Sequence, residues 1–570
     1  MINGNLASGG ISFTGLGSGT DFDSIIEKLI EVESLKKKRL EIWKSSWEKK
    51  IEGFQELNTK LLSLKTSLQA MDRPGEFLVK NTSSTDSAAL TATATADAEE
   101  GSYVFSINQL AQNQILTFNT PATSLNTVVN NSGTTQTFTY TYAGTDHTVN
   151  VPNGTTLGTL INIINADGGN LGVRASAIKV SEGEYRMQLR GLDTGAAKTL
   201  TIAGSTTLSG YQSGDVTVSQ SAQDAQFRLN NFPSNAWLTR ATNSIDDVVP
   251  GLTVLFKSTS ANVTVNVETD IEGIKEQVRT FVNQINEVRS FLKELTKIDS
   301  MTNKGSLLSG NYGVAMISQN LKNITASKGL GFEYFNSATG TGDMYTTLSQ
   351  LGILTDADAG SVNSGLLILN EDRLDEVLKT NLDDVVSLFS AHYEGSATVT
   401  QPSDNPAAFT YYNSIQGTTK GGTYAVSYSI SGGVVTGATI GGYPARFDSE
   451  TGQITATTGP ATGLAIQLNT FDNGTYSGSV SLKVGKVTEL INELNRLTDT
   501  REGTLNILED NYRDIIENIQ KKIEFEERRL KNNERNLRDR FARLEATLSN
   551  YNGIQGMLQN QIKQLPSGSE

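Results

Sequence analysis

The chain has 570 residues, 37% of them apolar, no cysteine, and 47 basic against 61 acidic residues, for a formal net charge of −14. The missing cysteine excludes disulfides, thiolate catalysis and cysteine-bearing metal sites, and the acidic balance argues against nucleic acid as a partner. No apolar run approaches the roughly 20 residues that a membrane-spanning helix needs, so we expect no transmembrane segment.

No pattern of residues predicts an enzyme. His147 and His392 stand far apart in polar surroundings, and a metal site needs convergent ligands. The glycine-rich run 15–19 lacks the third glycine and the lysine of nucleotide-binding loops. The run 356–360 begins like a calcium loop but has leucine, not glutamate, at its twelfth position. We therefore expect no catalytic residue, no metal and no cofactor.

The first long element is a helix with a seven-residue repeat. Asp21 and Asp23 supply oxygen atoms that cap its start, and residues 73–75, Arg-Pro-Gly, end it. A repeat of this kind over about seven heptads predicts a coiled coil. Its 4-3 spaced positions are Phe22, Ile26, Leu29, Glu33, Lys36, Leu40, Trp43, Trp47, Lys50, Phe54, Leu57, Leu61, Leu64, Leu68 and Met71.

The middle of the chain alternates between strands and helices. Residues 81–257 are poor in charge, and alternating runs such as 103–107 predict half-buried strands, with one helix at 157–165. Helical spacing returns over 270–296, and residues 391–484 revert to glycine- and threonine-rich strands. The last block has the pattern of a β insertion in a helical framework.

The chain closes with a second helical repeat. Acidic and basic residues are interleaved upstream of it, from Glu509 to Glu545, which is typical of solvated helix faces that flank a coiled-coil contact. Two seven-residue repeats at opposite ends favour antiparallel packing against each other; two independent helical bundles are the alternative. The positions of the second repeat are Leu537, Phe541, Leu544, Leu548, Tyr551, Gln555, Leu558, Ile562 and Leu565.

These patterns predict an α+β protein, in which a long antiparallel terminal coiled coil brackets several inserted antiparallel β-rich domains. From the two repeats we expect the packed contact to include Leu40, Trp43, Trp47, Phe54, Leu57, Leu61, Leu64, Leu68, Leu537, Phe541, Leu544, Leu548, Tyr551, Leu558 and Ile562. The expected divisions are a flexible segment 1–20, the first helix 21–80, two β-rich domains in 81–257 with one inserted in the other around 118–222, a helical return 258–390, a β insertion 391–484, and the last helix 485–570.

Four short blocks of the sequence resemble the flagellar filament cap family, also called the flagellar hook-associated protein 2 family. They occur in the family's order, with Thr20 and Asn370 departing from its usual residues. The blocks are ISFTGLGSGTDFDSIIEKL at 11–29, GSYVFSINQLAQ at 101–112, PGLTV at 250–254 leading into FVNQIN at 281–286, and LGI at 351–353 followed by SGLLILNEDRL at 364–374. The resemblance extends to about residue 390, with a C-terminal helix of matching character.

The resemblance implies a structural protein, secreted through the flagellar export apparatus with an export chaperone and without a cleaved signal peptide. It would form a ring of itself, commonly a pentamer, at the distal tip of the flagellum. There it would retain exported flagellin and promote its polymerisation by non-covalent binding and steric guidance. The N-terminal residues Gly15, Leu16, Gly17 and Gly19 would contact the filament.

Two alternatives stay open from the sequence. The β domains could bind host glycans or mucin, which would make the protein an adhesin, or the chain could be another axial protein such as flagellin or a junction protein. The four ordered blocks favour the cap over the other axial proteins, and block 391–484 lies outside the resemblance.

Overall fold

The computed structural model describes residues 21–299, 302–358 and 360–563. The chain divides into two compact units. The first unit combines the terminal helices with Arg279–Leu374 and the chain from Leu388 onward, and the second contains Met71–Val278 and Asp375–Ser387. The architecture is α+β, as the sequence predicted.

Side-chain caps mark the starts of several helices in the described part of the chain. The Asp21 carboxylate accepts a hydrogen bond from the backbone N–H of Ser24 at 3.0 Å and so caps the first helix. The helices are α1 (Phe22–Gln69), α2 (Pro74–Phe77), α3 (Leu157–Ala166), α4 (Ile271–Thr296), α5 (Tyr312–Ala326), α6 (Glu371–Thr380), α7 (Leu382–Ser390), α8 (Lys486–Thr498) and α9 (Thr504–Lys563).

The strands up to residue 269 all belong to the second unit. They are β1 (Lys80–Ser84), β2 (Leu90–Ala94), β3 (Gly101–Gln109), β4 (Ile115–Phe118), β5 (Gln136–Tyr142), β6 (Thr145–Val151), β7 (Val173–Ser181), β8 (Glu184–Gly191), β9 (Leu200–Ile202), β10 (Val216–Gln220), β11 (Ala225–Leu229), β12 (Leu238–Arg240), β13 (Ser244–Val249), β14 (Leu252–Phe256) and β15 (Ser260–Thr269). The remaining strands belong to the first unit: β16 (Ile353–Thr355), β17 (Leu367–Leu369), β18 (His392–Gln401), β19 (Phe409–Asn413), β20 (Gly422–Ser431), β21 (Val434–Ile440), β22 (Tyr443–Asp448), β23 (Gln453–Ala456), β24 (Ala465–Leu468) and β25 (Gly474–Val484).

The second unit has two hydrophobic cores. A five-stranded sheet in the order β1-β15-β3-β11-β12 and a three-stranded sheet β13-β14-β2 enclose one core around Phe105, Phe227 and Phe256. The sheets β10-β4-β8-β7 and β6-β5-β9 share with α3 a second core around Phe118 and Phe138. The strands of the second core, β4 to β10, all lie between β3 and β11 in sequence.

The sequence analysis placed residues 260–269 in a helical return from 258 to 390, but they form strand β15. It lies between β1 and β3 in the five-stranded sheet and pairs antiparallel with both. Val263, Val265 and Val267 alternate along it and are buried in the core, because alternate residues of a strand point to the same face. The helical return therefore begins at Ile271.

The block 391–484 forms an eight-stranded antiparallel sheet in the order β18-β25-β20-β21-β22-β23-β24-β19. Its own core contains Phe409, Tyr428, Tyr476, Val480 and Leu482. The rings of Tyr428 and Tyr476 stack with centroids 4.8 Å apart. The sheet can therefore bury its apolar residues without help from the helices, as expected of an inserted domain.

A loop before β16 holds strand β25 of this domain to the helical part of the same unit. Ser481 Oγ donates to the Gly331 carbonyl at 2.8 Å, and Lys483 Nζ donates to Asp343 Oδ1 at 2.5 Å. Gly331 has a φ of +79°, and a Cβ there would collide with the backbone of Leu482. Only glycine allows the loop to approach β25 this closely.

Candidate functional site: the terminal helix pair

Helices α1 and α9 pack antiparallel. Phe22 stacks on Phe541 with ring centroids 5.1 Å apart, Lys36 Nζ lies 2.5 Å from Glu526 Oε1, and Trp47 meets Tyr512 edge-on at 4.8 Å. The partner in α9 thus moves from 541 down to 512 as the α1 residue number rises from 22 to 47. The antiparallel terminal pair expected from the two repeats is confirmed.

In the C-terminal half of α1 the apolar positions of the repeat are completely buried. Phe54, Leu57, Leu61, Leu64 and Leu68 have no exposed surface. Helix α1 packs against α8 as well as α9, and Phe54 contacts the ring of Tyr512 in α9. The first repeat therefore has more than one partner helix.

The N-terminal half of α1 has α9 as its main partner and is less covered. Leu40 and Trp47 are half-buried, and Trp43 is exposed over 45% of its surface. Lys522 Nζ lies 5.9 Å from the centre of the Trp43 ring, on the flank of the contact.

In α9 the structure separates the predicted positions into two groups. Leu537, Phe541 and Leu548 are half-buried. Exposed positions are Leu544, Tyr551, Leu558 and Ile562. Because α1 begins at Phe22, opposite Phe541, the part of α9 after this point runs beyond the start of α1. The packing of these four residues stays a prediction, and Gly15, Leu16, Gly17 and Gly19 lie outside the described residues.

The contact continues along α9 upstream of Leu537, in a stretch whose interleaved charges the sequence analysis assigned to solvated faces that flank the contact. Tyr512 sits between Trp47 and Phe54, 5.2 Å from the latter ring, and its hydroxyl accepts from Asn311 Nδ2 at 2.7 Å. The positions of α9 that face this contact keep the 4-3 spacing of the repeat. Two of them are glutamates, so the spacing does not stand out as an apolar repeat in the sequence. The buried or half-buried positions are Leu505, Glu509, Tyr512, Ile516, Ile519, Ile523, Glu526 and Leu530.

A layer of charged residues crosses the middle of the contact. The Glu526 side chain is 3% exposed and accepts from Lys36 Nζ at 2.5 Å and from Arg529 Nε at 2.8 Å. Asn533 Nδ2 donates to Glu33 Oε2 at 2.6 Å. A slipped register would leave Glu526 without Lys36, and buried polar residues are known to fix the register of coiled coils in this way.

The hydrogen bond from Lys36 is the main cause that holds the pKa of Glu526 below its usual value. A carboxyl group with a lowered pKa adds stability above its unfolded pKa of about 4.3, and this stability is lost as the pH falls through the folded pKa. We expect Glu526→Gln to lower the Tm of the helix pair at neutral pH, and the difference from wild type to shrink below pH about 4.

Thermal melts followed by circular dichroism across this pH range would measure that difference. The exposed Glu524, two residues away, provides the matched control Glu524→Gln. A constant difference at every pH would contradict the ion pair.

The described residues contain no cluster of three or more His, Asp or Glu side chains that could hold a metal ion. His147 Nε2 lies 2.9 Å from Asp167 Oδ2, an isolated pair beside α3. No helix in the described part of the chain is long and apolar enough to cross a membrane. What the helix pair does contain is packed aromatic and apolar side chains with charged contacts between α1 and α9.

Long terminal helices around antiparallel β domains place the chain among structural assembly proteins, and comparisons with known proteins identify which. The family model "Flagellar hook-associated protein 2 C-terminus" matches residues 222–553, the corresponding N-terminus model matches 18–114, and the "Flagellin hook IN motif" matches 137–193. The chain belongs to the flagellar hook-associated protein 2 family.

Individual relatives carry the same family name. The A-type flagellar hook-associated protein 2 of Pseudomonas aeruginosa is 27% identical over 66% of this chain and 80% of its own length. The flagellar hook-associated protein 2 of Escherichia coli K12 is 27% identical over 74% of this chain and 88% of its own. Among solved structures, the D1-D2-D3 domains of the E. coli flagellar cap protein FliD are similar, with a TM-score of 0.48 and 25% identity, over 59% of this chain and 90% of that one.

Proposed function

We propose that this protein caps the distal end of the bacterial flagellar filament, prevents loss of exported flagellin and promotes its polymerisation at the tip. Membership of the hook-associated protein 2 family, with a C-terminal model covering residues 222–553, carries this proposal. The role needs binding and steric guidance only, and we propose no catalysis and no cofactor.

The partners follow from this role. The protein binds flagellin and further copies of itself in a ring of five subunits, and it reaches the extracellular tip through the export apparatus with a chaperone. The terminal helix pair supplies a stiff element about 70 Å long on the α1 side, at 1.5 Å per residue, which suits a leg that reaches the filament. No feature of the β domains favours the adhesin alternative, in which they would bind host glycans.

Deletion of the gene tests the proposal. We expect short or absent filaments and monomeric flagellin in the culture medium, because nothing would retain subunits at the tip. Flagellin in sheared filaments and in the medium is quantified by immunoblot, with the wild-type gene supplied in trans as the control. Normal filaments without leaked flagellin would contradict the capping role.

A further inference from the structure

An open pocket of about 620 Å³ lies on the outer face of the five-stranded sheet of the second unit. Arg228 of β11 stands opposite Ser106 of β3, and Ser106 Oγ donates to Asn262 Oδ1 of β15 at 3.2 Å. These three side chains form a row across three strands. The row faces away from the core, because a neighbouring residue in each strand is buried there and successive side chains of a strand point to opposite faces.

The Arg228 side chain is held in one orientation. Its guanidinium carbon lies 4.1 Å from the centre of the Trp237 ring, and its Nε donates to the Ala236 carbonyl at 2.9 Å. Nη1 and Nη2 donate to no residue in the described part of the chain. An arginine that is already stacked and hydrogen-bonded loses little further freedom when it binds a ligand.

The turn at the rim of the pocket is also fixed. The Asn230 backbone N–H donates to the Val104 carbonyl at 2.8 Å, and Asn230 Oδ1 accepts from the Val104 N–H at 2.9 Å. Asn231, which lines the pocket, has a φ of +61°, a left-handed conformation that asparagine adopts more readily than most residues. The rim is therefore formed without a ligand.

The positive charge of Arg228 has no carboxylate partner among the described residues, and none of those that line the pocket is an aspartate or a glutamate. Other arginines of the same unit are paired. Arg186 Nη2 lies 2.8 Å from Glu184 Oε1, and Arg240 Nε lies 2.8 Å from Asp247 Oδ2. The charge of Arg228 is thus available to a ligand.

The chemistry of the pocket fits a carboxylate on a peptide. A carboxylate only accepts hydrogen bonds and can bind both terminal amino groups of a guanidinium at once. The side-chain amides of Asn108, Asn231 and Asn262 line the pocket and can donate to and accept from peptide groups. Arg228 covers one face of the Trp237 ring, which leaves less of the ring for stacking on a sugar.

From these observations we propose that the pocket binds a carboxylate side chain on an extended peptide segment of a partner protein. Arg228 pairs with the carboxylate, and Trp237 positions Arg228. This inference goes beyond the capping role, which by itself requires no carboxylate ligand.

The indole N–H signals of the full-length protein test the site by NMR. The chain has three tryptophans, so isotopically labelled tryptophan gives one signal for each, and Trp237→Phe identifies the signal of Trp237. A short end-blocked peptide with a central glutamate is titrated in parallel with the same peptide carrying glutamine. We expect the Trp237 signal to shift with a Kd about tenfold lower for the glutamate peptide, because charge-assisted hydrogen bonds are the stronger ones.

Variants assign the effect to Arg228. Arg228→Gln removes the charge and should abolish the preference for the glutamate peptide, whereas Arg228→Lys keeps the charge without the planar fork and should bind more weakly than wild type. Arg190→Gln, at an exposed arginine of β8, is the matched control and should bind as wild type does. Circular dichroism verifies that each variant is folded, and the lysine variant serves if the glutamine variant is not.

Three results would overturn the proposal. Equal binding of the two peptides would mean that the pocket does not recognise a carboxylate. A shift with sialyllactose but with neither peptide would assign the pocket to acidic glycans. No shift with any of these probes would leave Arg228 an arginine without a ligand.

Discussion

Replacing Leu61 by aspartate is expected to unfold the helical part of the first unit. The side chain is completely buried in α1. Truncation of a buried leucine alone costs about 2–5 kcal/mol, and an unpaired buried carboxylate adds a penalty of at least a few kcal/mol more. The loss of helical circular dichroism at low temperature would measure the effect.

Leu544→Asp is the informative comparison, since the two seven-residue repeats predicted both residues to be packed. Leu544 is 43% exposed and lies beyond the start of α1, so we expect its substitution to change the stability of the isolated chain by no more than about 0.5 kcal/mol. If Leu544→Asp melted as early as Leu61→Asp, the register of the helix pair would be wrong. The milder Leu61→Ala gives a measurable Tm where the aspartate variant fails to fold.

Lys486→Ala is expected to cost about 3–5 kcal/mol, as for other buried ion pairs that lose one partner. Lys486 stands in the first turn of α8, directly after β25, and its side chain is 0% exposed. Its Nζ donates to Glu489 Oε2 at 2.9 Å and to the carbonyls of Ile324 and Lys328 at 2.8 and 3.1 Å. It thus satisfies the carbonyl of Ile324 in the last turn of α5, which has no partner within that helix, and the carbonyl of Lys328 just after the helix.

Burial is the main cause of both pKa changes in this pair: it lowers the pKa of Lys486 and raises that of Glu489. The alanine variant would leave Glu489 in the same buried place without its cation. We therefore expect the double variant Lys486→Met with Glu489→Leu to recover most of the lost stability, because no unpaired charge remains.

Thermal and denaturant melts of the full chain would measure the single and double variants. Lys322→Ala, at an exposed lysine of α5, is the control for loss of a lysine as such. A single variant as stable as wild type, or a double variant no better than the single one, would contradict this account of the pair.

Lys486 also illustrates what sequence reasoning missed. Nothing in its neighbourhood along the chain distinguishes it from the exposed lysines of the same protein. Its role depends on α5, more than 150 residues earlier, whose last carbonyls happen to meet it. The same holds for Glu526, which occupies a core position of the repeat and is tolerated there because Lys36 faces it.

The sequence by itself determined the two terminal helices, the strand character of the β domains and the family, because periodicity, capping residues and short motifs are local properties of the chain. The sequence also favoured antiparallel packing of the two terminal helices. The tertiary structure decided where along the repeats the helices actually meet. That depends on where α1 begins and on which residue of α9 lies opposite Phe22, and register between distant segments is set by packing that no local pattern contains. For this reason Leu61 and Leu544 look alike in the sequence, yet one is buried and the other exposed.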